Sequence, residues 1–220
     1  MRKSPILLVA LIYCIFFPHS AYGDIGQRDE FQQLYSCHSL SVGEGLGNSQ
    51  VTSILEDENG FIWIGTRAGV DRFNGKTVKQ YSLYENDIIA EGRLQFYILQ
   101  DAKGNIWACA SSGKIYQYNT LFDCFELQAD LAKLSGKYLF INHVYIDGQG
   151  TFWISESLAL YRYNAKEGIE TILEGIQTNS ALEYKGNIYA ATIKGVYKYD
   201  LSTKEKQLLF AGPHVLTLYL

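Results

Sequence analysis

The chain has 220 residues, 47% of them apolar, and a formal net charge of −4. That apolar content excludes an intrinsically disordered chain, and the length is enough to bury a sizeable core. An acidic balance without a clustered basic stretch excludes a nucleic-acid partner.

The first 23 residues have the layout of an export signal. Arg2 and Lys3 form a charged start, Ile6 to Phe17 an apolar run, and Ala21-Tyr22-Gly23 a small-residue site before Asp24. The run falls short of the roughly 20 residues needed to span a bilayer, so a cleaved leader is expected over residues 1–23. Cys14 lacks the small-residue context of a lipoprotein site, so lipidation is not expected. Cleavage removes two of the 19 basic residues and none of the 23 acidic ones, giving a charge of −6. Cys37, Cys109 and Cys124 then remain, which leaves open either one disulfide with a spare thiol or three thiols. His38, His143 and His214 are isolated and no Cys-x-x-Cys spacing occurs, so neither a metal nor a cofactor is implied.

From residue 24 onward the chain reads as β-structure with an internal repeat. Glu30 to Ser36 is expected to be an outer strand, and Gly43 to Gln50 a link into the first repeat unit. Three seven-residue phrases organise the repeat: DENGFIW (Asp57 to Trp63), DAKGNIW (Asp101 to Trp107) and DGQGTFW (Asp147 to Trp153). Their tryptophans are 44 and 46 residues apart, a period typical of propeller blades. Before each phrase stands a β-rich run: Val51 to Leu55, Phe96 to Leu99, His143 to Ile146. A second run contains or follows the tryptophan: Phe61 to Gly65, Asn105 to Cys109, Thr151 to Ser155. A third follows a small-residue turn, as Gly69 to Phe73, Lys114 to Tyr118 and Ala159 to Tyr163, and a fourth closes each unit. Glu85 to Gly92 and Asp130 to Gly136 are each long enough for one helical turn between units.

A fourth unit is degenerate, with Lys185-Gly-Asn-Ile-Tyr189 in place of the phrase, and His214 to Leu218 resembles the first strand of a fifth. Four strands per unit of this size is the layout of a β-propeller blade. The predicted fold is therefore all-β. Four four-stranded blades are expected at about 50–83, 95–128, 141–173 and 180–210, with a further one starting at 213–220. Seven blades of this size need on the order of 300 residues, so an incomplete ring is expected, from a truncation, a frameshift or a split gene.

The recurring residues have physical roles. An aspartate side chain accepts a hydrogen bond from a backbone N–H two residues on, and a glycine three positions later supplies a positive φ. Asp57 and Gly60, Asp101 and Gly104, and Asp147 and Gly150 are read in this way. Trp63, Trp107 and Trp153 are then expected between neighbouring blades, each burying roughly 150–250 Å². At about 25 cal/mol per Å² that is at most roughly 4–6 kcal/mol apiece. Tyr116, Tyr118, Tyr161, Tyr163, Tyr197 and Tyr199 on the third strands are read as sheet packing.

The stretch Gln50 to Lys76, QVTSILEDENGFIWIGTRAGVDRFNGK, resembles the two-component regulator propeller repeat. The second unit departs from it with Ala108-Cys109-Ala110 where Ile-Gly-Thr is typical, the third with Ser155-Glu156-Ser157. The resemblance implies the sensor part of a hybrid two-component system, in which periplasmic propellers detect glycan breakdown products. The partners it implies are an oligosaccharide ligand, the remaining blades and downstream sensor domains, and a homodimer of the full-length sensor, anchored in the inner membrane. The chain contains no kinase or receiver sequence.

Two other readings compete. Repeated carboxylates suggest acid–base catalysis, but a ring spaces equivalent residues a blade apart, whereas a retaining glycosidase pair needs about 5–5.5 Å. Asp147 to Trp153 comes near the sialidase Asp-box, with its Asp-to-Gly and Asp-to-Trp intervals each one residue too long. A non-catalytic module is therefore expected, with a sialidase-like or lyase enzyme and a protein-interaction propeller as alternatives. On the rim formed by the turns between second and third strands, Arg67 and, in the adjoining inter-blade loop, Arg93 are the candidate partners for an acidic sugar.

Overall fold

Each phrase folds one strand back on the next, and two further reversals complete a sheet. The computed structural model describes residues 38–83 and 94–218. It contains four antiparallel four-stranded sheets. The first holds β1 (Val51–Glu56), β2 (Ile62–Thr66), β3 (Val70–Phe73) and β4 (Val78–Tyr81) in that order. The second holds β5 (Phe96–Gln100), β6 (Ile106–Ala110), β7 (Lys114–Asn119) and β8 (Cys124–Asp130). The third holds β9 (Ile141–Ile146), β10 (Phe152–Glu156), β11 (Ala159–Asn164) and β12 (Gly168–Glu174). The fourth holds β13 (Thr178–Tyr184), β14 (Asn187–Thr192), β15 (Gly195–Asp200) and β16 (Lys206–Ala211).

These are propeller blades, as the repeat predicts. Their first strands, β1, β5, β9 and β13, touch one another in succession and form the inner side of the arc. The expected outer strand at 30–36, the leader, the turn at 85–92 and Cys37 lie outside the described residues. Helix α1 (Leu131–Ser135) is a single turn, with Asp130 accepting from the Lys133 N–H at 3.1 Å and Gly136 closing it at φ 67°.

Three hydrophobic clusters mark the three junctions between blades. Trp63 joins Phe96, Ile98 and Ile106 of the second blade. Phe152 and Ile154 pack with Cys109, Ile115 and Leu131 at the next junction, with Trp107 at its edge. Trp153 packs with Ala181, Ile188 and Tyr199 at the last. Every indole meets an aromatic ring of the following blade: Trp63 on Tyr118 at 4.8 Å, Trp107 on Phe152 at 5.1 Å, Trp153 on Tyr199 at 5.8 Å.

The inner strands are also stitched by polar side chains. Thr52 and Ser53 donate to the Phe96 carbonyl at 2.6 and 2.9 Å, and Tyr97 to that of Asn142 at 2.9 Å. Asn142 donates to the Thr178 carbonyl at 3.1 Å, and Asn179 to that of Val215 at 2.7 Å. The segment His214 to Leu218 forms no strand, because no ladder partner stands beside it among the described residues. Val215 is nevertheless fixed to the fourth blade, its N–H donating to the Thr192 carbonyl at 3.0 Å. The stitching also explains Gly65, where a Cβ would stand 2.0 Å from the Phe96 oxygen and 2.4 Å from Ser53 Oγ.

The fourth blade dispenses with the aspartate for a geometric reason. Tyr184 pairs with Asn187 across a two-residue hairpin in which Lys185 and Gly186 have φ of 51° and 71°. Two positive φ values describe the tight turn that matches strand twist, so the reversal closes without an aspartate side chain.

Replacing Trp153 by Ala is expected to cost about 3–5 kcal/mol, because the indole is fully buried. Trp107→Ala should cost less, since that ring is only half-buried. Gly65→Ala is expected to cost about 1–3 kcal/mol through overpacking. Urea midpoints of the three variants check the ranking, and a Trp107→Ala loss equal to that of Trp153→Ala would contradict it.

Candidate functional site

The three aspartates that suggest an acid–base constellation are engaged in the turns. Asp57 Oδ1 accepts the N–H groups of Asn59 and Phe61 at 2.9 and 3.1 Å, while Oδ2 accepts the Trp63 indole at 2.7 Å. Asp101 does the same for Lys103, Asn105 and the Trp107 indole at 2.9, 2.9 and 3.0 Å. Asp147 does so for Gln149, Thr151 and the Trp153 indole, each at 2.9 Å. Gly60, Gly104 and Gly150 close these turns at φ of 77°, 83° and 79°. Burial alone would raise the Asp101 pKa, but the bonds from Asn105, Trp107 and Lys103 outweigh it and bring it below the usual range. A carboxylate committed in this way is a poor general acid.

The opposite ends of the strands carry the turns between second and third strands. Thr66 Oγ1 accepts the Ala68 N–H at 3.1 Å, and Thr192 Oγ1 that of Lys194 at 3.1 Å. In the third blade Glu156 replaces the threonine. Its Oε2 accepts the Leu158 N–H at 2.8 Å, and its Oε1 reaches back to the Phe140 N–H at 3.3 Å. Arg67 sits half-buried on this rim, and Arg93 lies outside the described residues.

The most elaborate side-chain cluster lies on the Asp-turn side, where blade one meets blade two. Arg72, opposite Trp63 in the ladder, packs its guanidinium against Phe61 at 4.8 Å, Trp63 at 5.3 Å, and Tyr81 and Tyr118 at 5.7 Å each. Its Nη1 donates to the Tyr118 hydroxyl at 2.6 Å and lies 3.3 Å from Asp123 of the second blade. Asp123 Oδ1 also accepts the hydroxyls of Tyr81 and Tyr118 at 2.6 Å each, and Oδ2 meets the Lys79 ammonium. Lys79, followed by the two phenols and then Arg72, holds the Asp123 carboxyl far below the ordinary carboxylate range. Burial, then donation to Asp123, raises both phenol pKa values, so both remain donors.

Beside this clasp is a cavity of about 280 Å³ between the first two Asp turns. Its walls are the rings of Phe61, Trp63 and Tyr118, and its polar groups come from Glu58, Asn59, Gln100 and Arg72. Sequence spacing gives no hint of it, because the cavity joins residues of two blades. The cavity lies at the end of the strands away from Arg67. Elsewhere, Cys109 is a buried free thiol whose pKa burial pushes well up, and Cys124 is a half-buried free thiol. Among the described residues no helix is long and apolar enough to cross a membrane. No group of three or more His, Cys, Asp or Glu side chains among them is arranged to hold a metal ion.

Residues 45–68 match the family described as Two component regulator propeller. The match runs from the link at Gly45, through the first Asp turn and Trp63, to the rim turn at Ala68. No curated protein matches the chain. In fold it is similar to the extracellular domain of a protein described as a hybrid two component system of B. thetaiotaomicron. That likeness has 20% identity and a TM-score of 0.62, and covers 79% of this chain and 26% of that one. The extracellular domain of a second such system from the same organism has 15% identity and a TM-score of 0.46, over 77% of this chain and 30% of that one. The chain thus spans about a quarter to a third of the length of these structures.

Asp123→Asn is expected to lower stability by about 1 kcal/mol at pH 7, through the loss of charge-assisted hydrogen bonds that solvent partly screens. The folded-state pKa of Asp123 is depressed, so its contribution is complete above the unfolded value of about 3.9 and is lost as the pH falls further. Urea midpoints for both proteins should therefore differ by a constant amount between pH 5 and 7 and converge below pH 4. A difference that grows on acidification would contradict the clasp.

Proposed function

We infer that this chain is a non-catalytic, ligand-sensing propeller segment of a hybrid two-component regulator, exported to the periplasm and responding to glycan-derived ligands. The observation that carries this reading is the match of residues 45–68 to the two-component regulator propeller, placed in a blade of the corresponding fold. The fold likeness to an extracellular domain supports the export side. Commitment of Asp57, Asp101 and Asp147 to turns and indoles favours binding over turnover.

Faces left open at the two outer blades support a larger propeller. Val51 and Ile54 are exposed on the first blade, and Leu208, Leu209 and Phe210 on the fourth. Exposed apolar side chains gathered on the two terminal blades suit an interface, and further blades of the full-length protein are its natural cover. Signalling by phosphotransfer then belongs to other parts of that protein.

The test is a thermal melt of the exported chain with oligosaccharides from partly digested polysaccharides, run beside an assay for new reducing ends. A ligand at 100 times its Kd stabilises the folded state by about 2.7 kcal/mol. At about 2–4 °C per kcal/mol for a domain of this size, Tm should rise by roughly 5–10 °C with no product formed. Release of sugar at a rate abolished by Asp147→Ala would favour the glycosidase reading instead.

A further inference from the structure

We propose that the cavity between the first two Asp turns is a binding site for a single neutral pyranose unit, with the Arg72–Asp123 clasp as its fixed wall. The proposal rests on the ligand-sensing reading above and gives it a place and a chemistry. Size comes first. At about 280 Å³ the cavity lies just below the roughly 300–1,000 Å³ of drug-sized sites, enough for one sugar ring.

Lining chemistry comes second. Phe61 and Tyr118 offer half-buried ring surface for the C–H face of a sugar. Glu58, Asn59 and Gln100 add a carboxylate and two amides, which together donate to and accept from vicinal hydroxyls. Such a mixture of apolar wall and few convergent polar groups is the usual make-up of a small-ligand site.

Charge decides between sugar classes. Asp57 and Glu58 both line the cavity, and the cation there, Arg72, is already paired with Asp123 at 3.3 Å. A uronate or sialate would therefore meet net negative charge and find no uncommitted counter-ion. A neutral ring meets no such penalty. The same pairing fixes Arg72, whose position is set by Tyr118 and three other surrounding rings before any ligand arrives. Preorganisation of that kind reduces the ordering cost of binding.

The other two junctions are built differently. Gln117 stands opposite Trp107, and Arg162 opposite Trp153. Arg162 turns to Glu167 and Glu170 of its own blade at 2.5 and 3.2 Å. Among the described residues the clasp is thus a feature of the first junction and not of the repeat.

The experiment is saturation-transfer NMR on the exported chain with methyl glucopyranoside, methyl galactopyranoside, methyl mannopyranoside and N-acetylglucosamine. Glucuronate and galacturonate serve as charged counterparts. At least one neutral glycoside should bind saturably and more tightly than either uronate. The variant Glu58→Ala/Asn59→Ala changes two exposed turn side chains and should weaken it about tenfold, whereas Arg67→Ala at the far rim should leave it unchanged. Circular dichroism confirms that both variants fold. Preference for a uronate, absence of saturable binding by every neutral glycoside, or indifference to Glu58→Ala/Asn59→Ala would each overturn the proposal. Undiminished binding of a longer glycan by that double variant would remove this site and leave the sensing reading intact. Failure of saccharides of every length would remove both.

Discussion

In three of the four blades one aspartate carboxylate does two jobs at once, and the three junctions between blades depend on it. Oδ1 ties the reversal between first and second strands, while Oδ2 accepts the indole N–H of the tryptophan six residues on. A buried indole with an unpaired N–H would lose much of the gain from its own burial. The aspartate removes that cost and fixes the ring's direction. A tryptophan held in this way projects toward the next blade, where it meets Tyr118, Phe152 or Tyr199.

Chemistry is distributed according to the same constraint. Because each Asp turn consumes its carboxylate, the ring of acidic groups offers no free acid–base pair. The residue opposite the tryptophan is arginine at the first and third junctions and glutamine at the second. At the first junction the charge of Arg72 is balanced across the blades, by Asp123 from the turn between β7 and β8, whereas Arg162 at the third is balanced within its own blade.

Local features were legible in the sequence. The Asp-x-x-Gly-x-x-Trp spacing identifies turn, strand and junction together, because all three depend on contacts within six residues. Likewise Asp130 and Gly136 mark the ends of α1. The fourth blade reads as degenerate, although Lys185-Gly186 is a tighter solution to the same reversal and not a damaged copy. Ser155-Glu156-Ser157 reads as a departure from the threonine pattern. In the fold Glu156 caps the same turn and also holds the neighbouring loop.

The clasp could not be read in this way. Arg72, Tyr81, Tyr118 and Asp123 come from two blades, and each alone looks like an ordinary strand or turn residue. Arg67 stands on the rim of the turns between second and third strands, whereas the cavity lies at the other end of the strands. Period and turn chemistry are local properties, and the sharing of a site between blades is not.

The dual role of the aspartate is tested most directly by a double-mutant cycle on Asp147 and Trp153. Comparing Asp147→Ala, Trp153→Phe and the double variant isolates the carboxylate–indole bond from the turn bonds and the ring packing. A coupling of about 1.5–3 kcal/mol is expected for a buried hydrogen bond to a charged group. A coupling below about 0.5 kcal/mol, with both single losses intact, would mean that turn and tryptophan act independently and would contradict the dual role.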